Sequence, residues 1–251
     1  MVATKLALGA VMAALTTTGS AGSLKIKNHC SGTVNIVISH NGGCDYGQSK
    51  KCIRDGGKPY QIKSNGSTSF AWIGDGKGAS LKISKSDPKK ILQYEYALVK
   101  SGDYKGLYWD LSDLDGSGNG LVGTPFRGDN VHVKPSGNGA GKGTCVPIKC
   151  AANKVCLDSY QHPDDPNTKW CPVDTGDIWI ALCQPNSQFN SRDLNDEDIE
   201  IVDTTPPQEG EAPVDDSAAP VMPKIVLDYF LHHTEEPSSP AAAKVSRAYY
   251  A

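Results

Sequence analysis

The sequence predicts an all-β protein, a β-sandwich held by disulfides, and three observations predict it. Roughly nine short segments alternate polar and apolar residues, and Gly, Asn, Asp and Pro punctuate them. No convincing long helical pattern interrupts the series. Eight cysteines, an even number, follow a leader of the secretory type, the setting in which disulfide frameworks form.

The elements follow in chain order. Lys5 precedes the apolar run from Leu6 to Leu15, and small residues lead to Ala21. This is a signal-peptide pattern over residues 1–21, cleaved most simply after Ala21. The run is too short to span a bilayer, and no other stretch approaches ~20 apolar residues. One exported domain is expected over residues 22–185. Ser23 to Asn28 alternates as a strand, and Thr33 to Ser39 is a second strand rich in β-branched residues. The polar, Gly-rich stretch from Asn41 to Lys58 holds Cys44 and Cys52, spaced for a local staple. Ser67 to Ile73 and Ala79 to Ser84 form two more strands around Gly74-Asp75-Gly76, and Asp87-Pro88 breaks the chain. Val131 to Val133 is a short strand, Pro135 to Gly143 a flexible link, and Ile178 to Cys183 the last apolar strand.

The central stretch is Tyr94 to Gly116. It reads as a hairpin, with Tyr94, Tyr96, Leu98, Leu107, Trp109 and Leu111 on one face and a Gly-Asp turn between the strands. Its acids are unusual. Glu95 lies between two tyrosines, Asp110 near the end of the second strand, and Asp113 and Asp115 in the loop beyond. Antiparallel pairing can bring Glu95 and Asp110 onto one face with Asp115 at its rim. Such a group can act as acid and base on a sugar, bind a cation, or stay solvated.

Charge divides the chain. Residues 1–183 hold 21 Lys and Arg against 15 Asp and Glu, a net +6, and the remainder hold 4 against 13, a net −9. The tail over residues 186–251 is acidic, rich in Pro and poor in apolar residues, the composition of a disordered segment. No Cys and His set has zinc-finger spacing, so no metal site is expected. Neither a cofactor nor a nucleic-acid or membrane partner is expected, and the chain reads as a monomer. Arg127-Gly128-Asp129 is an integrin-type tripeptide before a strand, and Asn65-Gly66-Ser67 is an N-glycosylation sequon in a turn. Spacing alone leaves 105 pairings for eight cysteines.

Six segments in order resemble the thaumatin-like proteins: SLKIKNHCSGTV, YEYALV, YWDLSDLDG, CVPIKC, CLDSYQHPDDPNTKWCP and DIWIALCQP. The match spans roughly residues 23–185. The chain departs from that family in having eight cysteines where its members have ten or sixteen, a linker from Ala151 to Val155 in place of the second domain, and no Thr-Gly-Asp-Cys signature. It looks most like the small secreted fungal members associated with cell walls and spores.

The resemblance implies a thaumatin-like sandwich and a disulfide map: Cys30–Cys183, Cys145–Cys171 and Cys150–Cys156, leaving Cys44 with Cys52. It also implies a carbohydrate-binding cleft. Glu95, Asp110 and Asp115 match the family's hairpin acids, Asp164 or Asp165 its third Asp, and Lys82, or else Lys77, stands nearest to its Arg. The ligand implied is β-1,3-glucan in a cell wall. If the cleft is a weak endo-β-1,3-glucanase, Glu95 is the general acid and Asp115 or Asp110 the base or nucleophile, and clustering should raise the pKa of at least one acid. The alternative is a non-catalytic surface or effector protein that binds a host protein through Arg127, Gly128 and Asp129 or through the tail.

Overall fold

The computed structural model describes residues 22–115, 124–189, 200–202 and 206. The expected leader lies outside them. Among the described residues, twelve strands form two six-stranded sheets. The first sheet contains β1 (Ser23–Asn28), β4 (Ser67–Ala71), β8 (Val131–Pro135), β9 (Ile148–Cys150), β11 (Ile178–Leu182) and β12 (Glu200–Val202), in the order β12-β4-β1-β11-β8-β9. The second contains β2 (Val34–His40), β3 (Tyr60–Ile62), β5 (Ala79–Ser84), β6 (Leu92–Val99), β7 (Gly106–Ser112) and β10 (Lys169–Cys171), in the order β10-β7-β6-β5-β2-β3.

Alternation decides what lies between the sheets. Leu24 and Ile26 of β1, Ile178, Ile180 and Leu182 of β11, and Val131 and Val133 of β8 face inward. Ile36 and Ile38 of β2, Leu81 and Ile83 of β5, and the apolar residues of the hairpin β6–β7 meet them. The Tyr94 and Trp109 rings stack at 5.7 Å. The Tyr96 hydroxyl accepts a hydrogen bond from the Ile73 amide at 3.1 Å. The expected apolar face of the hairpin is therefore the core of the second sheet.

Four disulfides staple the layers: Cys30–Cys183, Cys44–Cys52, Cys145–Cys171 and Cys150–Cys156. These are the pairs that the resemblance implies. Cys30–Cys183 joins the chain after β1 to the chain after β11, and those two strands already pair in parallel.

Four strands were not legible in the sequence. β3, β9, β10 and β12 are three residues each, too short for a period of two to emerge. The boundary expected at residue 185 also moves. Asn186–Phe189 forms one helical turn, with the Asn186 side chain accepting from Asn130 Nδ2 at 2.8 Å and the Phe189 carbonyl accepting from Lys149 Nζ at 2.8 Å. β12 pairs in parallel with β4, so three residues of the expected disordered tail lie on a sheet edge. An open edge strand offers unpaired amides and carbonyls to any extended segment, and here the chain supplies its own. The rest of the tail lies outside the described residues.

Candidate functional site

The site is built on the outer face of the second sheet. In the register, Lys82 stands opposite Gln93, and Gln93 opposite Ser112. One step along, Ser80 stands opposite Glu95, and Glu95 opposite Asp110. Residues paired across strands share a face, and alternation turns these away from the core side chains Leu81, Tyr94 and Leu111. Glu95 and Asp110 are therefore a cross-strand pair on one face, as expected.

A polar chain runs beside them. Gln93 Nε2 donates to Ser80 Oγ at 3.2 Å, and Ser112 Oγ donates to Gln93 Oε1 at 3.4 Å. Lys82 occupies the middle strand of the face, with Nζ 3.4 Å from an oxygen of Asp45 and 3.4 Å from one of Asp115. Asp115 thus shares the face with Glu95. Burial alone would pull the Lys82 ammonium down, but the carboxylates of Asp45 and Asp115 outweigh it, and its pKa is raised. Lys82 is the cation of this site. Asp45, one residue beyond Cys44, is a member that sequence reasoning missed. Ser39 Oγ donates to Asp45 Oδ1 and holds the carboxylate over the sheet.

Two expected members are placed differently. Asp110 is only 4% exposed, so it underlies the face rather than lining an open cleft. Asp165 holds its own loop, because Oδ2 accepts from the amides of Gln161 at 2.7 Å and His162 at 2.8 Å. Asp164 is exposed beside it. The acid that ties this disulfide loop to the hairpin is Asp113. It accepts from Gln161 Nε2 at 2.7 Å and Ser159 Oγ at 3.1 Å, and its amide donates to the Tyr160 carbonyl. Burial raises the Asp113 pKa against the pull of these donors. The cause is desolvation, not the crowding of carboxylates expected from the sequence. Lys77, the other candidate cation, is exposed in the turn before β5.

The integrin-type tripeptide is partly committed within the fold. The Asp129 carboxylate pairs with Lys85 Nζ, and the Arg127 carbonyl accepts from the Asn153 amide at 2.7 Å. Asn65 of the sequon is exposed in the turn between β3 and β4, at a φ of 58° that Asn tolerates well.

The sequence matches the profile of a family described as the Blastomyces yeast-phase-specific protein over residues 11–184. The chain belongs to that family. It is also 41% identical over 99 residues to the secreted thaumatin-like protein calA of Emericella nidulans, an alignment covering 38% of this chain and 50% of that protein. The chain spans half the length of this curated relative. Two solved structures are similar in outline. The protein elicitor MoHrip2 from Magnaporthe oryzae has 21% identity and a TM-score of 0.46, with 65% of this chain and all of that one covered. The thaumatin-like xylanase inhibitor TLXI has 12% identity and a TM-score of 0.36, with 64% and 99% covered. The two-sheet fold, the four disulfides and the curated relative support a likeness to the secreted thaumatin-like proteins.

Proposed function

We propose that this protein binds cell-wall β-glucan through the outer face of the second sheet. What supports the reading is the single array in which Lys82 stands between Asp45 and Asp115, beside the Glu95 and Asp110 pair. Sugar hydroxyls both donate and accept, so a face carrying an ammonium and several carboxylates can satisfy several of them at once. Binding is favoured over hydrolysis. Asp115 is engaged in an ion pair with Lys82, and Asp110 is buried. We further propose an N-glycan on Asn65, which lies in the exposed turn between β3 and β4.

Retention on insoluble β-1,3-glucan tests the proposal. Wild-type protein is expected in the pellet, with Lys82→Ala, Glu95→Gln and Asp115→Asn each weakening retention by about tenfold, the loss of about one hydrogen bond to a charged group. A wild type left wholly in the supernatant sinks the reading.

A further inference from the structure

A cavity of about 30 Å³ lies where the end of the β6–β7 hairpin meets the loop before β8 and the loop after β9. Its floor is apolar: Leu92, Phe126, Val131 and the Cys150–Cys156 disulfide. Arg127 and Lys154 are exposed and line it too, so it opens to solvent on their side. The Asn153 amide donates to the Arg127 carbonyl at 2.7 Å and ties these two loops together. None of Asp45, Lys82 or Glu95 lines this cavity.

One buried acid stands in its wall. Asp113 is 4% exposed. Its Oδ2 accepts from Gln161 Nε2 and Ser159 Oγ, whereas Oδ1 is buried with no hydrogen-bond partner among the described residues. The Thr124 hydroxyl, also in the wall, bears on the carboxyl without completing a bond to Oδ1. Burial makes this acid hold its proton more tightly than usual. In the neutral acid Oδ2 is already an acceptor twice over, so the proton belongs on Oδ1 and makes it a donor. A buried donor without an acceptor is costly until something enters to meet it.

The rim has a matching need. Among the described residues no salt bridge engages Arg127 or Lys154, whereas Asp129 beside them pairs with Lys85. A metal ion would be opposed by both cations. A carboxylate meets every group at once, because its oxygens accept from the Asp113 hydroxyl and from the guanidinium and ammonium. One water needs about 10–15 Å³, so the cavity has room for about two water-sized groups, the two oxygens of a carboxylate.

We propose that this cavity binds the carboxylate of a small organic acid between Asp113 Oδ1, Arg127 and Lys154. A free acid and a uronate unit of a polysaccharide present the same head group. The site is separate from the glucan-binding face and does not depend on it. Other ionisable groups near Asp113 are engaged elsewhere or exposed, and none lines the cavity: Asp158 pairs with Lys169, Asp165 accepts from its own loop, Asp115 pairs with Lys82, and His162 is exposed. Affinity is therefore highest where the ligand is ionised and Asp113 still protonated, and it falls as pH rises through the raised Asp113 pKa.

The test is NMR titration of the full-length protein with glucuronate, acetate and glucose, from about pH 4 to about pH 8. Glucuronate is expected to move the signals of the Arg127 side chain and the Ala151–Lys154 amides with a dissociation constant on the order of 1 mM, and glucose to leave them in place. Acetate binding as well assigns the site to free acids, and binding of glucuronate alone assigns it to uronates. Arg127→Ala should weaken binding about tenfold, and Arg127→Lys should recover part of the loss. Asp113→Asn keeps a donor at every pH, so its affinity should no longer fall as pH rises. Circular dichroism establishes that this variant is folded, and the exposed Arg127 and Lys154 leave the question decidable through Arg127→Ala and Lys154→Ala alone. Retention on β-1,3-glucan should be unchanged in the Arg127 and Lys154 variants. The proposal is overturned if neither acid binds, if glucose moves the same signals as strongly, or if Asp113→Asn keeps the wild-type pH dependence. A wild type that fails to bind glucan leaves it standing.

Discussion

Asp113 and His132 are both buried, and burial moves their proton affinities in opposite directions. The folded protein holds the Asp113 proton more tightly than the unfolded chain does, because desolvation penalises the carboxylate despite its hydrogen bonds from Gln161 and Ser159. Asp113 therefore favours folding at low pH, and this contribution fades as pH rises through its raised pKa. His132 lies under the Phe189 ring at 6.2 Å with Lys149 and Lys134 nearby, and burial and those cations lower its pKa to about 4. The unfolded chain takes up that proton near 6.5, so the His132 contribution is intact above this value and is lost as pH falls toward 4. Thermal melts from about pH 3 to about pH 8 separate the two. Relative to wild type, Asp113→Asn should remove a decline in stability with rising pH, and His132→Asn should remove a decline with falling pH. Variant curves that simply run parallel to the wild-type curve would show that neither group is linked to folding.

At the scale of elements, the sequence was read correctly wherever alternation ran long enough. β6 and β7 have eight and seven residues, and their inward faces were visible as Tyr94, Tyr96, Leu98, Leu107, Trp109 and Leu111. The register that sets Glu95 against Asp110 follows from the turn between them. What alternation does not carry is coverage of the outer face. Every residue of β7 is buried, Tyr108, Asp110 and Ser112 included, because β10 borders the strand and Tyr160 bonds along its end. Asp110 was read as a cleft residue for that reason. Asp45 was missed for a related one. It adjoins a cysteine in a segment without periodicity, and only the folded loop brings it to the sheet. The turn chemistry around Cys44 marked a staple but not the direction of the carboxylate beside it.

At the scale of the whole molecule, stability rests on how the ends of the sandwich are joined. Asn28, the last residue of β1, is buried, and its Nδ2 donates to the carbonyls of Gly32 and Ile62 at 2.9 Å, while its Oδ1 accepts from the Cys30 amide at 2.9 Å. One side chain thus ties the first sheet to β3 of the second. Two residues on, Cys30–Cys183 closes a loop of 153 residues, whereas Cys44–Cys52 closes one of 8. In the chain-entropy account the long closure stabilises by about 5 kcal/mol and the short one by about 2.5 kcal/mol. A domain of this size has only ~5–15 kcal/mol in hand. Replacing Cys30 and Cys183 together by Ala should therefore leave the protein near its unfolding threshold at room temperature. Replacing Cys44 and Cys52 should leave a folded protein with a lower urea midpoint, because its loop is local and its main service is to hold Asp45 over the sheet. The doubly substituted Cys44 and Cys52 variant should lose glucan retention more than stability, and the Cys30 and Cys183 variant should lose both together. Urea titration of the two variants beside the pull-down decides the matter. Equal losses of stability would mean that strain or unfolded-state structure, rather than loop length, sets what each bond contributes.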